Sequence, residues 1–284
     1  RRWDASSGEQ LDVLQRDDSY LGMLASDADA DRLAWTTSDG RITVWNLDDG
    51  APAAQWTHGG EINSLSLGPG GERLAWTTRD EFGVWNVATD ERRSVDREHF
   101  WLRHVAFGHR GDRLAVLDTG RLSIWSTAEL RRERTLERKA IGGLDMVWSR
   151  DGERLFYAME NNLWAWRPDG DAQPARLGRH DANIAAIALT PDDERLMTAG
   201  MDHTVRLWRL DADAPPRIYR GHAGEVRGLS IHPNGALLAS AAKDGAVKLW
   251  PLQGADAFTP LPGHADSVHA LAIDPTTGAA YTGG

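Results

Sequence analysis

Apolar and polar residues alternate along most of the chain, and Gly, Pro, Asn or Asp interrupts the alternation at short intervals. A period of two belongs to a strand with one face buried, and the 3.6-residue period of an amphipathic helix is nearly absent. The clearest stretch is GHAGEVRGLSIHPNGALLASAAKDGAVKLW, residues 221–250. In it EVRGLSI alternates, HPNG is a turn, ALLASAA is a second strand, KDG is a tight turn and AVKLW alternates again. The segment TAELRRERTLERKA, residues 127–140, has helix-like composition but stands where other units place their last strand, and it is read as a strand.

The same succession recurs along the chain. Trp3, Trp45, Trp85, Trp125, Trp166, Trp208 and Trp250 are separated by 42, 40, 40, 41, 42 and 42 residues. A fixed period of this size marks units that bury their faces only against neighbouring units. Each unit is a meander of four short strands, and radial stacking closed into a circle covers every face. The expected fold is therefore all-β: a seven-bladed β-propeller of four-stranded antiparallel blades, one domain over residues 1–284. The chain ends ALAIDPTTGAAYTGG, two strands of a blade, and opens RRWD, the end of a third strand, with EQLDVLQ following as the outer strand. Pairing of these N- and C-terminal strands in one blade closes the ring. This reading expects residues resembling DGTV ahead of Arg1, within a larger multidomain protein.

The units resemble the WD repeats of the WD40 β-propeller family over essentially the whole chain. The family's Gly-His pair stands at Gly221-His222 and Gly263-His264, with His alone at His58, His99 and His180. The Asp before the third strand stands at Asp39, Asp80, Asp202 and Asp244. The resemblance implies a structural network of His180, Thr198, Asp202 and Trp208, and a second of His222, Ser240, Asp244 and Trp250. Such a network suits these side chains: carboxylate accepts from imidazole, imidazole engages hydroxyl, and a buried indole N–H needs an acceptor. The first half departs from the pattern, with Lys139 at a His position, MENN at 159–162 lacking the Asp, and DTG at 118–120 displaced. There a looser propeller family of the TolB type is an open alternative. The resemblance implies scaffolding or sensing, and in bacteria fusion to kinases, caspase-like proteases or signalling NTPases. A cytoplasmic location and a monomeric domain are expected.

Composition narrows the partners. The net charge of −10 repels a phosphate backbone, and no face collects the cations that nucleic acid or an anionic bilayer needs. A protein or peptide partner with a basic side chain ranks first. There is no cysteine, hence no disulfide or thiolate zinc site. No window of about 18 apolar residues is present. Lys occurs only at 139, 243 and 248 against many Arg, a pattern of GC-rich genomes.

Candidate chemistry is sparse. The ten His fall on repeat positions or in different units, with no H-x-x-x-H or H-E-x-x-H spacing, so no metal and no cofactor is expected. No G-x-S-x-G elbow and no phosphate-binding Gly loop occurs. The RGD at Arg110–Asp112 occupies a hairpin turn. The basic run Arg131, Arg132, Arg134, Arg138 and Lys139 is interleaved with Glu129, Glu133 and Glu137, the pattern of a salt-screened edge strand. Residues preceding each first strand should ring one mouth of the central channel: Tyr20, Glu61, Trp101, Gly142, Asn183, Glu225 and Ser267. Turn residues Ser38, Arg79, Met201, His203 and Lys243 border the same face. Aromatic side chains there favour partner binding, and Glu61 with Glu225 would favour an inserted Lys or Arg. The leading function is a non-catalytic interaction module; the alternative is an enzyme or small-molecule binder using those two carboxylates at the channel mouth.

Overall fold

The computed structural model describes residues 2–4, 9–12, 21–26, 32–96, 101–137, 143–170, 172–253, 258–261, 267–268, 270–273 and 279–283. The described strands form seven four-stranded antiparallel sheets. Blades 1 to 6 are consecutive meanders over residues 21–57, 64–96, 102–137, 143–179, 184–220 and 226–261. Blade 7 has the order Gln10–Asp12, Arg2–Trp3, Ala280–Gly283, Ala270–Ile273, so the two ends of the chain share one sheet. The charged segment near residue 130 is the outer strand Arg132–Glu137 of blade 3. Arg110–Asp112 turns between the first two strands of that blade, with Gly111 at φ +71°.

The repeat is carried by register. On the second strand, a small or branched apolar residue faces each repeat tryptophan: Leu33↔Trp45, Leu74↔Trp85, Leu114↔Trp125, Leu155↔Trp166, Leu196↔Trp208, Leu238↔Trp250 and Ala280↔Trp3. A slip of one residue would turn each buried face to solvent, so this alignment fixes the blade.

The buried apolar side chains fall into seven clusters, one between each pair of adjacent blades. One joins Ile42 and Val44 of blade 1 to Leu74 and Trp76 of blade 2; the last joins Trp35 of blade 1 to Tyr281 of blade 7. Trp35, Trp76 and Trp148 all lie in these layers, and Trp56 and Trp164 pack against them as well. Each first strand packs on the first strand of the next blade, and Ala270–Ile273 against Leu21–Ser26 completes the ring. Side chains tie these inner strands together: Ser64 Oγ accepts the Val105 N–H at 3.2 Å, and Ser230 Oγ accepts that of Ile273 at 3.0 Å.

Candidate functional site

Two constellations stand out, one inside the blades and one at the channel mouth. In blade 5 the Trp208 indole N–H donates to Thr198 Oγ1 at 2.8 Å, and Thr198 lies 2.7 Å from His180 Nε2. His180 Nδ1 in turn stands 3.0 Å from the Asp202 carboxylate. Since that carboxylate accepts only, the Nδ1–H tautomer is assigned, and the hydroxyl donates to Nε2. Blade 6 repeats the chain: Trp250 to Ser240 at 2.8 Å, Ser240 to His222 at 2.7 Å, His222 to Asp244 at 3.1 Å. Each Asp also accepts backbone N–H groups, from Asp181 at 3.0 Å and from Ala223 at 2.7 Å. Burial opposes ionisation of Asp202, but hydrogen bonds from His180, Thr204 and the Asp181 N–H outweigh it and hold the carboxyl well below its usual range.

A fifth member was missed in the sequence. Two residues before each of these tryptophans stands a cation, Arg206 or Lys248. Arg206 donates to the Arg179 carbonyl at 2.9 Å and to Asp202 at 3.0 Å; Lys248 donates to the Gly221 carbonyl at 2.7 Å. The repeated pattern of apolar residue, cation, Leu, Trp in TVRLW and AVKLW was the available signal.

These networks set a pH dependence. Burial lowers the pKa of His222 and outweighs the attraction of Asp244, so the folded state favours the neutral imidazole. A depressed folded pKa gives stability that is present above the unfolded value of about 6.5 and lost as pH falls through the folded value. The melting temperature is expected to drop between pH 7 and pH 5, and His222→Gln to flatten that drop; an unchanged slope in the variant would count against the assignment.

Blades 1 to 4 break the chain at the hydroxyl, whereas blade 7 keeps it. Trp35, Trp76, Val116 and Tyr157 occupy its register position in blades 1 to 4, and in blade 7 Thr282 holds it and accepts the Trp3 indole at 2.8 Å. In blade 2, His58 turns to Glu81 at 3.1 Å instead of Asp80, and the Trp85 indole donates to Asp90 at 3.0 Å. Trp76 fills the space, edge-on to Trp56 at 4.8 Å, and its register partner is Gly83, where a Cβ would collide with the indole. His99, Lys139, Gly263 and His264 lie outside the described residues.

The channel opens as a cavity of about 790 Å³ lined by the first strands and their preceding loops. Of the ring expected from sequence, Glu61 and Trp101 line it, together with the turn residue Arg79. Tyr20 and Gly142 lie outside the described residues. Asn183, Met201, Glu225, Lys243 and Ser267 sit beside the cavity rather than in its wall. The Met201 N–H donates to the Asn183 carbonyl at 2.8 Å, that of Lys243 to the Glu225 carbonyl at 3.0 Å, and Ser267 lies 3.5 Å from the Lys243 carbonyl. Trp101 is 52% exposed, with the Arg79 guanidinium 4.6 Å and that of Arg103 5.9 Å from its ring centroid.

Charge at the mouth is mixed: Glu61 and Asp145 share the wall with Arg79, Arg103 and Arg227. Glu225 is held by Arg227 and, at 3.1 Å, by Lys243, and these hydrogen bonds, Lys243 first, lower its pKa. That is the reverse of what a general acid needs. Sequence reasoning also missed Arg103, Asp145 and Arg227 in the cavity wall, although each is a charged residue within a largely apolar first strand. Asp145 is occupied: it meets His104 Nε2 at 3.0 Å and accepts the N–H groups of Met146 at 2.8 Å and Ile187 at 2.7 Å. Of the charged edge run, Arg131 lies 3.4 Å from Glu129, Arg132 stands over the Trp125 ring, and Glu133 is taken at 3.0 Å by Arg113 of the second strand.

Seven radial blades, a seam that joins the chain's ends and paired Trp-to-Asp hydrogen-bond chains define a repeat propeller. Residues 173–209 and 214–251, the two segments that carry those chains, each match the family WD40 (WD domain, G-beta repeat), so the seven-bladed propeller carries WD40 repeats in blades 5 and 6. No curated protein matches the chain. WD40 domains are usually non-catalytic and commonly serve as protein-interaction scaffolds.

Proposed function

We propose that this propeller is a non-catalytic interaction module that binds a peptide segment of a partner protein at the channel mouth. The observation that carries the reading is Trp101, a large aromatic side chain 52% exposed at the rim of a concave cavity. Exposing an indole forgoes its hydrophobic stabilisation, and aromatic residues at the centre of an interface supply a disproportionate share of binding energy. Met23, 40% exposed, lines the same cavity and extends its apolar surface. Met23 stands on, and Trp101 beside, a hydrogen-bonded first strand, which limits the ordering entropy lost on docking.

The test compares the wild-type chain with Trp101→Ala. Proteins retained from a lysate by the first and not the second identify the partner. Affinity for that partner is expected to fall roughly 30-fold or more, the range of a hot-spot aromatic, with the melting temperature unchanged. Equal retention by both proteins would remove the mouth as the binding site.

A further inference from the structure

We infer that the segment bound at the mouth is acidic: a peptide bearing Asp or Glu side chains next to an apolar residue. This rests on the peptide-binding reading and adds its chemistry. Arg79 and Arg103 are both exposed, line the cavity and pair with no carboxylate among the described residues. Some outer-strand and turn arginines, such as Arg92, Arg93, Arg121 and Arg167, meet a carboxylate on their own blade and others do not; what sets Arg79 and Arg103 apart is that both line the cavity beside one indole. A chain with net charge −10 has carboxylates to spare, yet these two guanidiniums stand over an indole instead.

The remaining charges at the mouth do not cancel them. Asp145 is satisfied by His104 and two backbone N–H groups, and Glu225 is satisfied by Lys243 and Arg227. Among the described residues of the cavity wall, Arg79, Arg103 and Arg227 outnumber Glu61 and Asp145. A concave wall focuses such a field, and guanidinium groups take carboxylates in a forked, two-point geometry. The indole of Trp101 and the thioether of Met23 supply the apolar contact beside them. A small anion would use the arginines and leave those two side chains uncovered, which favours a peptide.

The experiment selects a random 12-residue peptide library on the 284-residue chain and counter-selects it on Trp101→Ala. Peptides that depend on Trp101 are expected to carry more Asp and Glu than Lys and Arg. Synthetic versions should lose about tenfold or more in affinity with Arg79→Glu/Arg103→Glu, and weaken between 50 and 300 mM salt. Trp101-dependent peptides that are neutral or basic would overturn the acidic assignment and leave the peptide site standing. Recovery of no Trp101-dependent peptide would overturn both. Displacement of a selected peptide by millimolar citrate, with no contribution from its apolar residue, would reassign the arginines to a small anion.

Discussion

Asp202→Ala is expected to lower the melting temperature by about 6–12 °C. The carboxylate accepts from His180, from Arg206 at 3.0 Å, from the Thr204 hydroxyl at 2.7 Å and from the N–H groups of Asp181 and Thr204. Its side chain is 8% exposed and that of His180 is 0% exposed. Removing it leaves the His180 imidazole N–H buried with no acceptor, while Arg206 keeps Asp181 at 2.6 Å and the Arg179 carbonyl, and the loss costs roughly 3 kcal/mol. At about 2–4 °C per kcal/mol for a domain of this class, the shift follows. Asp202→Asn keeps one acceptor oxygen and should lose less. Asp39→Ala is the control, because that Asp caps an exposed turn, bonded to Thr37 and the Arg41 N–H. Its shift should be far smaller, and equal shifts for Asp202→Ala and Asp39→Ala would show that the buried network adds no stability.

The fold was readable because its determinants are local and repeated. One tryptophan per unit, facing one residue of the second strand, sets the register of each blade, and seven copies leave one arrangement that buries every face. The seam was readable for the same reason: Trp3 and Thr282 are an ordinary third-strand and second-strand pair that happen to lie at opposite ends of the chain. The mouth was less readable because its composition depends on who pairs with whom across blades. Glu225 looks available in the sequence; only the fold brings Lys243 and Arg227 onto it. Arg103 looks like an ordinary alternating strand residue, and only the ring turns it towards the cavity beside Trp101.

In blades 1 to 4 the sequence showed that something was lost from the pattern without showing what replaced it. A tryptophan on the second strand, as at Trp76, cannot accept an indole hydrogen bond, so Trp85 takes Asp90 and His58 takes Glu81. Apolar contact between Trp56, Trp76 and Trp85 does there what hydrogen bonds do in blades 5 and 6. Substitution of polar networks by well-packed apolar groups is commonly neutral or stabilising, which accounts for a ring that holds both kinds of blade. A family pattern built on the hydrogen-bonded kind matches blades 5 and 6 for that reason.

Trp3→Ala is expected to destabilise the chain by roughly 3–5 kcal/mol, the range for deleting a buried aromatic, and to do so by opening the ring. Trp3 is 2% exposed, and its hydrogen bond to Thr282 spans 279 residues. Joining points that far apart in a free chain costs roughly 5 kcal/mol, more than the two residue pairs Arg2↔Tyr281 and Trp3↔Ala280 can offset alone. Stacking of the first six blades brings the ends together beforehand, so the seam forms after them and is the first element to open. Trp250→Ala removes the same side chain at the same register in an uninterrupted blade and gives the comparison. Both variants should melt earlier, but Trp3→Ala alone should release the N-terminal strands to limited proteolysis well below its melting temperature. Thr282→Val isolates the hydrogen bond: it keeps the shape, leaves the indole N–H buried without its acceptor, and should cost about 1–3 kcal/mol. If Thr282→Val melts with the wild type and Trp3→Ala resists protease as Trp250→Ala does, the ring is not held at this seam.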